Sequence, residues 1–249
     1  MRNLLFLTPL FVAAPALADG RLDLARRLEE VRSPAPLAVT VQLDLRLDHK
    51  LHGKVAQGQA TLRVGVEQDA DGLRVHWAPA SLADANAEEH EHDLDPDRLT
   101  PVRQAMTELD AARLGHLLDQ AGTIAGLTKE APVENQADSN DGREARRLVY
   151  LFKPRLTWAD RYYLRHSEGR FTLWVSADGT PLASESVAHY EGKTGRTFGR
   201  FHGQTTTRTH YAVERQRLRV AEREVDELVS RDDGGEVHHT TKRFVIEMR

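Results

Sequence analysis

"LAVTVQLDLRLDHKL", residues 37 to 51, decides the fold class. Val39, Val41, Leu43, Leu45 and Leu47 fall at every second position, and Thr40, Gln42, Asp44, Arg46 and Asp48 fill the places between. Successive side chains of a strand point to opposite faces, so this period of two predicts a long strand with one dry and one wet face. "HGK" then turns the chain back. Ala60, Leu62, Val64 and Val66 alternate in the next strand, and "DADG" at 69–72 reads as a hairpin loop whose Asp71-Gly72 supplies the positive-φ positions. "LRVHW" continues with Leu73, Val75 and Trp77 on one face.

Before this block the period is helical. Leu24, Leu28 and Val31 in "LARRLEEVRS" make one narrow apolar stripe, and the Pro34 and Pro36 that follow end it. After the block, residues 79 to 97 break the alternation and carry a run of acids, of which "EEHEHDLD" (88–95) reads as a solvated loop. Leu99, Val102, Met106 and Leu109 then step by three and four. Asp110 is placed to cap a second helix that turns Leu114, Leu117, Leu118 and Ala121 inward and stops near Gly122. "KEAPVENQADSNDGRE" reads as a polar loop that closes a helical insertion at about 79–142.

Strand signals return at "RRLVYLF", an apolar run that predicts cover on both faces. Thr157 with Asp160 opens a predicted short helix to about Gly169. "RFTLWVS-ADGTP-LASESVAHY" is a hairpin, Phe201 to Tyr211 is threonine-rich strand, and the chain ends in a long hairpin over 218–248. Within it, residues 218–230 suit either a strand or a helix. The expected fold is α+β: about nine long, mostly antiparallel strands in a curved, open, barrel-like sheet packed on helices.

The N-terminus predicts export. Arg2 precedes an apolar run from Leu4 to Ala14, and Pro15-Ala16-Leu17-Ala18 offers small residues before a cut at Asp19. The run is too short to span a bilayer, and no later stretch is apolar enough to do so as a helix. The expected product is a single β-rich domain from Asp19 to Arg249, periplasmic or secreted. The chain has no cysteine, which excludes disulfides, thiolate metal sites and a thiol nucleophile. Its formal net charge is −4 with both signs mixed, which argues against a nucleic-acid partner. Aromatics at 6% are thin for the two girdles of an outer-membrane barrel.

Motifs exclude more than they assign. "YEGKTGRTFGRFHG" (190–203) ends like a phosphate loop, yet Val187 stands where such a loop needs glycine, and strands flank it on both sides. Its glycines read as a turn at 192–195, with Gly199 and Gly203 relieving crowding in a bent strand. His90 and His92 in "EEHEHDLD" are the candidate metal ligands, but no third histidine lies nearby and a solvated acidic loop explains them as well. His238 and His239 point to opposite faces if 236–248 is a strand, so at most one of them joins any site. "DSNDGRE" lacks the glycine and acid places of a calcium loop. No GxSxG, HExxH or SxxK is present, and no cofactor is implied. Trp77, Trp158, Trp174, Tyr162 and Tyr163 are the aromatics available to line a pocket.

The stretches "DLARRLEEVRS", "LAVTVQLDLRL", "GQATLRV" and "VSADGTPLASES" together resemble the periplasmic lipoprotein carriers of the Lol system. The resemblance covers about a third of the chain and departs from that family at the helical insertion. It implies an unclosed antiparallel barrel with a helical lid over an apolar cavity that takes acyl chains. No functional residue is carried across. The functional expectation is an exported carrier-type protein holding an apolar small molecule or lipid between sheet and helices, against Val41, Leu43, Leu45, Trp77, Leu114, Leu117, Leu118 and Trp174. The alternative is a non-enzymatic accessory protein that binds another envelope protein.

Overall fold

The computed structural model describes residues 20–33, 35–51, 53–154, 164–193, 199–232 and 235–249. The predicted leader and the predicted helix start at 157–163 lie outside them. The alternation does become strands: β1 (Leu37–Leu51), β2 (Lys54–Asp69) and β3 (Gly72–His76). Four helices follow, α2 (Pro79–Leu94), α3 (Pro101–Glu108), α4 (Ala111–Leu118) and α5 (Ala121–Leu127), after the N-terminal α1 (Gly20–Glu30). The rest is strand: β4 (Glu134–Asn140), β5 (Arg143–Phe152), β6 (Leu164–Val175), β7 (Pro181–Lys193), β8 (Arg200–Glu214), β9 (Arg217–Arg231) and β10 (Glu236–Met248).

All ten strands form one antiparallel sheet in the order β3-β2-β1-β10-β9-β8-β7-β6-β5-β4. The sheet is open, with β3 and β4 as its edges. Every neighbour pair but one is a hairpin or follows directly in sequence. The exception is β1 with β10, which closes the chain's first and last strands together from Val39↔Met248 to Leu51↔Glu236. The connection from β3 to β4 therefore runs from one edge to the other, roughly 40 Å for ten strands at ordinary spacing. That connection holds α2 to α5, which makes the helical segment a bridge across the sheet face rather than an appendage.

One cross-strand row shows what the helices cover. Leu62, Leu43, Phe244, Arg223, Thr209, Ser184, Leu173 and Leu148 are successive partners across eight strands. The row is apolar at both ends and polar in the middle. At one end α3 packs on β1 and β2 and α4 on β3 and β9, with Leu43, Leu109 and Leu114 wholly buried. At the other, α1 and α5 pack on β5 and β6 through Leu24, Leu28, Ile124, Tyr150 and Phe171. Two apolar cores thus lie side by side on one face.

Several local expectations are corrected. Helix α2 takes in residues 88–94 of the expected acidic loop and begins at Pro79, whose missing N–H costs nothing at the first helical positions. The helical segment ends at Leu127, and the polar stretch 134–140 is edge strand β4; its hydrophilicity suits a strand with one neighbour and solvent on its other side. Residues 164–169 are strand, not helix. Residues 218–230 lie in strand β9. In β5, Leu148, Val149 and Tyr150 are covered on both faces as expected, but Leu151 is 69% exposed. The expected count of about nine strands holds, with ten among the described residues.

Candidate functional site

The sequence-nominated residues fall in three places. Val41, Leu43, Leu45, Leu114, Leu117 and Leu118 meet in the first core, and Trp77 packs at its margin. Asp110 caps α4 as expected, its carboxylate accepting from the Arg113 amide at 2.8 Å. Trp174 lies on the opposite face, where its Nε1–H donates to Asp138 at 3.1 Å. Trp158, Tyr162 and Tyr163 lie outside the described residues. His90 and His92 sit on α2, where a two-residue step turns about 200° and separates the rings; His92 Nδ1 contacts the Arg98 carbonyl at 2.9 Å.

Between the two cores runs a polar seam that the sequence did not announce. Arg223 of β9 donates to Thr209 at 3.1 Å and to Gln120, at the α4–α5 junction, at 3.0 Å. Burial lowers the pKa of this guanidinium from its ordinary value. Gln120 is itself buried, and its backbone amide donates to Leu218 of β9 at 2.9 Å. Tyr211 and Ser184 share a hydrogen bond of 2.7 Å, and burial raises the tyrosine pKa. Lys242 reaches Glu108 at the end of α3 at 2.8 Å. These contacts fasten the helical layer to the sheet with few polar ties.

A concavity of about 710 Å³ lies at the ends of β5, β6 and β7, lined among the described residues by Leu151, Phe152, Val187, Lys153, Arg170 and His189 with neighbouring strand positions. Leu151, Arg170 and Val187 are successive cross-strand partners on the face opposite Tyr150 and Phe171. Its volume is that of an ordinary small-ligand pocket, and its lining is predominantly apolar. On the other face a Cβ at Gly169 would collide with the ring of Phe152, which packs against the second core. Two cations stand among the lining residues. Arg170 is held by Glu134 at 2.7 Å, and Lys153 follows Phe152 at the strand end.

A second concavity of about 610 Å³ lies on the wet face around Asp44, Arg46, Gln59, Thr61, Thr241 and Arg243. Its charges are already paired: Arg46 with Asp48 at 2.7 Å, Arg243 with Glu222 at 2.6 Å, and Asp44 accepting from Thr61 at 2.8 Å. Its lining is more polar than that of the first.

The phosphate-loop stretch also resolves in part. β7 runs on through Gly192 to Lys193, so the turn predicted to start at 192 does not; residues 194–198 lie outside the described set. Gly203 lies beneath the Tyr190 ring, which occupies the space a Cβ would need. That glycine serves close cross-strand packing of an aromatic.

The fold these elements define is an open, curved α+β sheet with a helical cover. No protein-family model and no curated protein matches the chain. A crystal structure of a DUF1329 family protein from Desulfovibrio piger aligns with it at 13% identity, over 92% of this chain and 91% of that one, with a TM-score of 0.27. At that score the likeness carries no argument about function. Among the described residues no helix is long and apolar enough to cross a membrane.

Proposed function

We propose that this chain is an exported binding or carrier protein for a lipidic ligand, one with an apolar body and an anionic end. The observation that carries the reading is the concavity at the ends of β5–β7. Its floor of Leu151 and Val187 suits an acyl chain, and Lys153 suits a carboxylate or phosphate head, with Arg170 beside it held by Glu134. An exposed leucine at the mouth of an apolar concavity costs solubility unless something covers it. Export rests on the leader-like residues 2–18.

The layer between sheet and helices is the other place for an acyl chain. There Leu43, Leu114 and Leu118 are closely packed, so a ligand would enter only as α3 and α4 move off the sheet. Their short length and few polar ties support such a movement. The two places are separable by substitution.

The test is titration of the mature protein with a fluorescent fatty acid. Saturable micromolar binding is expected, weakened about tenfold or more, that is by at least 1.4 kcal/mol, in Leu151→Asp and Lys153→Glu. Loss of binding in Leu118→Ala with none in Leu151→Asp moves the ligand to the sheet–helix layer. A flat signal with the parent protein overturns the lipid reading and leaves a protein partner in the envelope as the function to pursue.

A further inference from the structure

The doublet His238-His239 is absorbed by no part of that reading, and the sheet gives it a use. His238 is the direct cross-strand partner of His49, on the first strand of the chain. The pair exists only because β1 and β10 are neighbours. Both side chains lie on the same face, as do Leu47 and Thr240 one pair further along. The two rings stand edge to face with centroids 4.4 Å apart. His239 points the other way and is taken by Asp226 at 2.9 Å.

The surroundings of the pair resemble those of metal-ligating imidazoles. Nε2 of His238 lies 2.8 Å from Oε1 of Glu236. A carboxylate only accepts, so this nitrogen carries the proton, and in the neutral ring Nδ1 keeps its lone pair. A histidine whose second nitrogen is held by a carboxylate is the usual outer arrangement of a metal ligand; it fixes the tautomer and raises basicity. Glu236 is held in turn by Arg231 at 2.6 Å. His49 makes no hydrogen bond among the described residues.

We propose that His49 and His238 form a two-imidazole site for a late first-row divalent cation such as Zn²⁺ or Cu²⁺, with Glu236 as the outer carboxylate and water in the remaining positions. A metal bound at about 2.0–2.1 Å to one nitrogen of each ring sets the ring centres roughly 5 Å apart. Metal binding would draw the rings apart from 4.4 Å. Imidazole donors and the general order of stability make Cu²⁺ the tighter of the two. Among the described residues no group of three or more His, Asp or Glu is arranged to hold a metal, so a two-ligand site of modest affinity is what the chain offers.

The test is calorimetric titration of the purified mature chain with Zn²⁺, then Cu²⁺, in a non-chelating buffer. One equivalent is expected to bind, with Cu²⁺ tighter. His49→Gln and His238→Gln are each expected to abolish the event, with circular dichroism showing that both variants keep the parent fold. Glu236→Gln is expected to weaken it about 10–100-fold. His92→Gln and His202→Gln are expected to change nothing. Absence of binding at 100-fold excess Zn²⁺ and Cu²⁺, or binding that survives both His49→Gln and His238→Gln, overturns the proposal. Fatty-acid binding is read separately, so failure here leaves the proposed function untouched.

Discussion

Arg223 on the sheet and Gln120 between two helices are joined by a hydrogen bond of 3.0 Å, at the point where the two apolar cores meet. Arg223 is partly buried and Gln120 almost wholly so. Breaking such a contact from one side leaves a buried charge short of a partner, whereas removing the charge relieves its desolvation. Gln120→Ala is therefore expected to cost about 1–3 kcal/mol, and Arg223→Met less. Urea denaturation of the two variants measures the order, and a reversed order would show that Arg223 is satisfied without the helix.

The two faces of β1 should respond oppositely to charge. Leu43 is wholly buried, so Leu43→Asp is expected to unfold the protein: an unpaired buried carboxylate costs several kcal/mol, against a net stability of about 5–15. Gln42 faces the wet side beside Arg63 of β2. Gln42→Asp is expected to change stability by no more than about 0.5 kcal/mol. Thermal melts of both variants decide it.

Leu118 is about 1% exposed and packs in the first core. Leu118→Ala should cost about 2–5 kcal/mol, the range for a close-packed leucine. A loss well under that range would mean that the helical layer sits loosely enough to admit a chain.

The β6–β7 turn links acid stability to the N-terminal helix. Asp178 is held below the usual carboxylate range, first by the Ser176 hydroxyl at 2.5 Å and then by the Thr180 amide and hydroxyl. A depressed folded-state pKa adds stability above the unfolded value and loses it as pH falls through the folded one. Stability should thus decline below about pH 4, and Asp178→Asn should flatten that decline. The turn also presses Gly179, at φ +84°, against the Asp23 backbone. Gly179→Ala is expected to destabilise the contact with α1, and hydrogen exchange in residues 20–30 reports it.

Processing is checked by N-terminal sequencing of the protein recovered from a bacterial periplasm. The expected first residue is Asp19. A start at Met1, or recovery with membranes alone, would remove the export step from the proposed function.

Local chemistry is legible in this chain wherever the signal is periodic or sits within a few residues. The alternation at Val39–Leu47 specifies a strand and its buried face, because a period of two cannot place those side chains on one side of a helix. Asp71-Gly72 and Asp178-Gly179 specify turns, and Asp110 specifies a cap, because each satisfies a backbone need of its own segment. The polar strand β4 and the acidic helix α2 are hidden, since neither buries enough of one face to leave a period; what holds them is a neighbouring strand in one case and, in the other, Glu88 accepting from the Val102 and Arg103 amides at the start of α3. What only the tertiary structure decides is long-range register. That β1 pairs with β10 brings His49 against His238, and the span from β3 to β4 carries the helices across the sheet, so that Gln120 meets Arg223. None of these partners is within a hundred residues of the other, and no local preference encodes the match. It is selected by burying the apolar rows of β1, β2 and β10 under one part of the helical layer and those of β5 and β6 under the other at once.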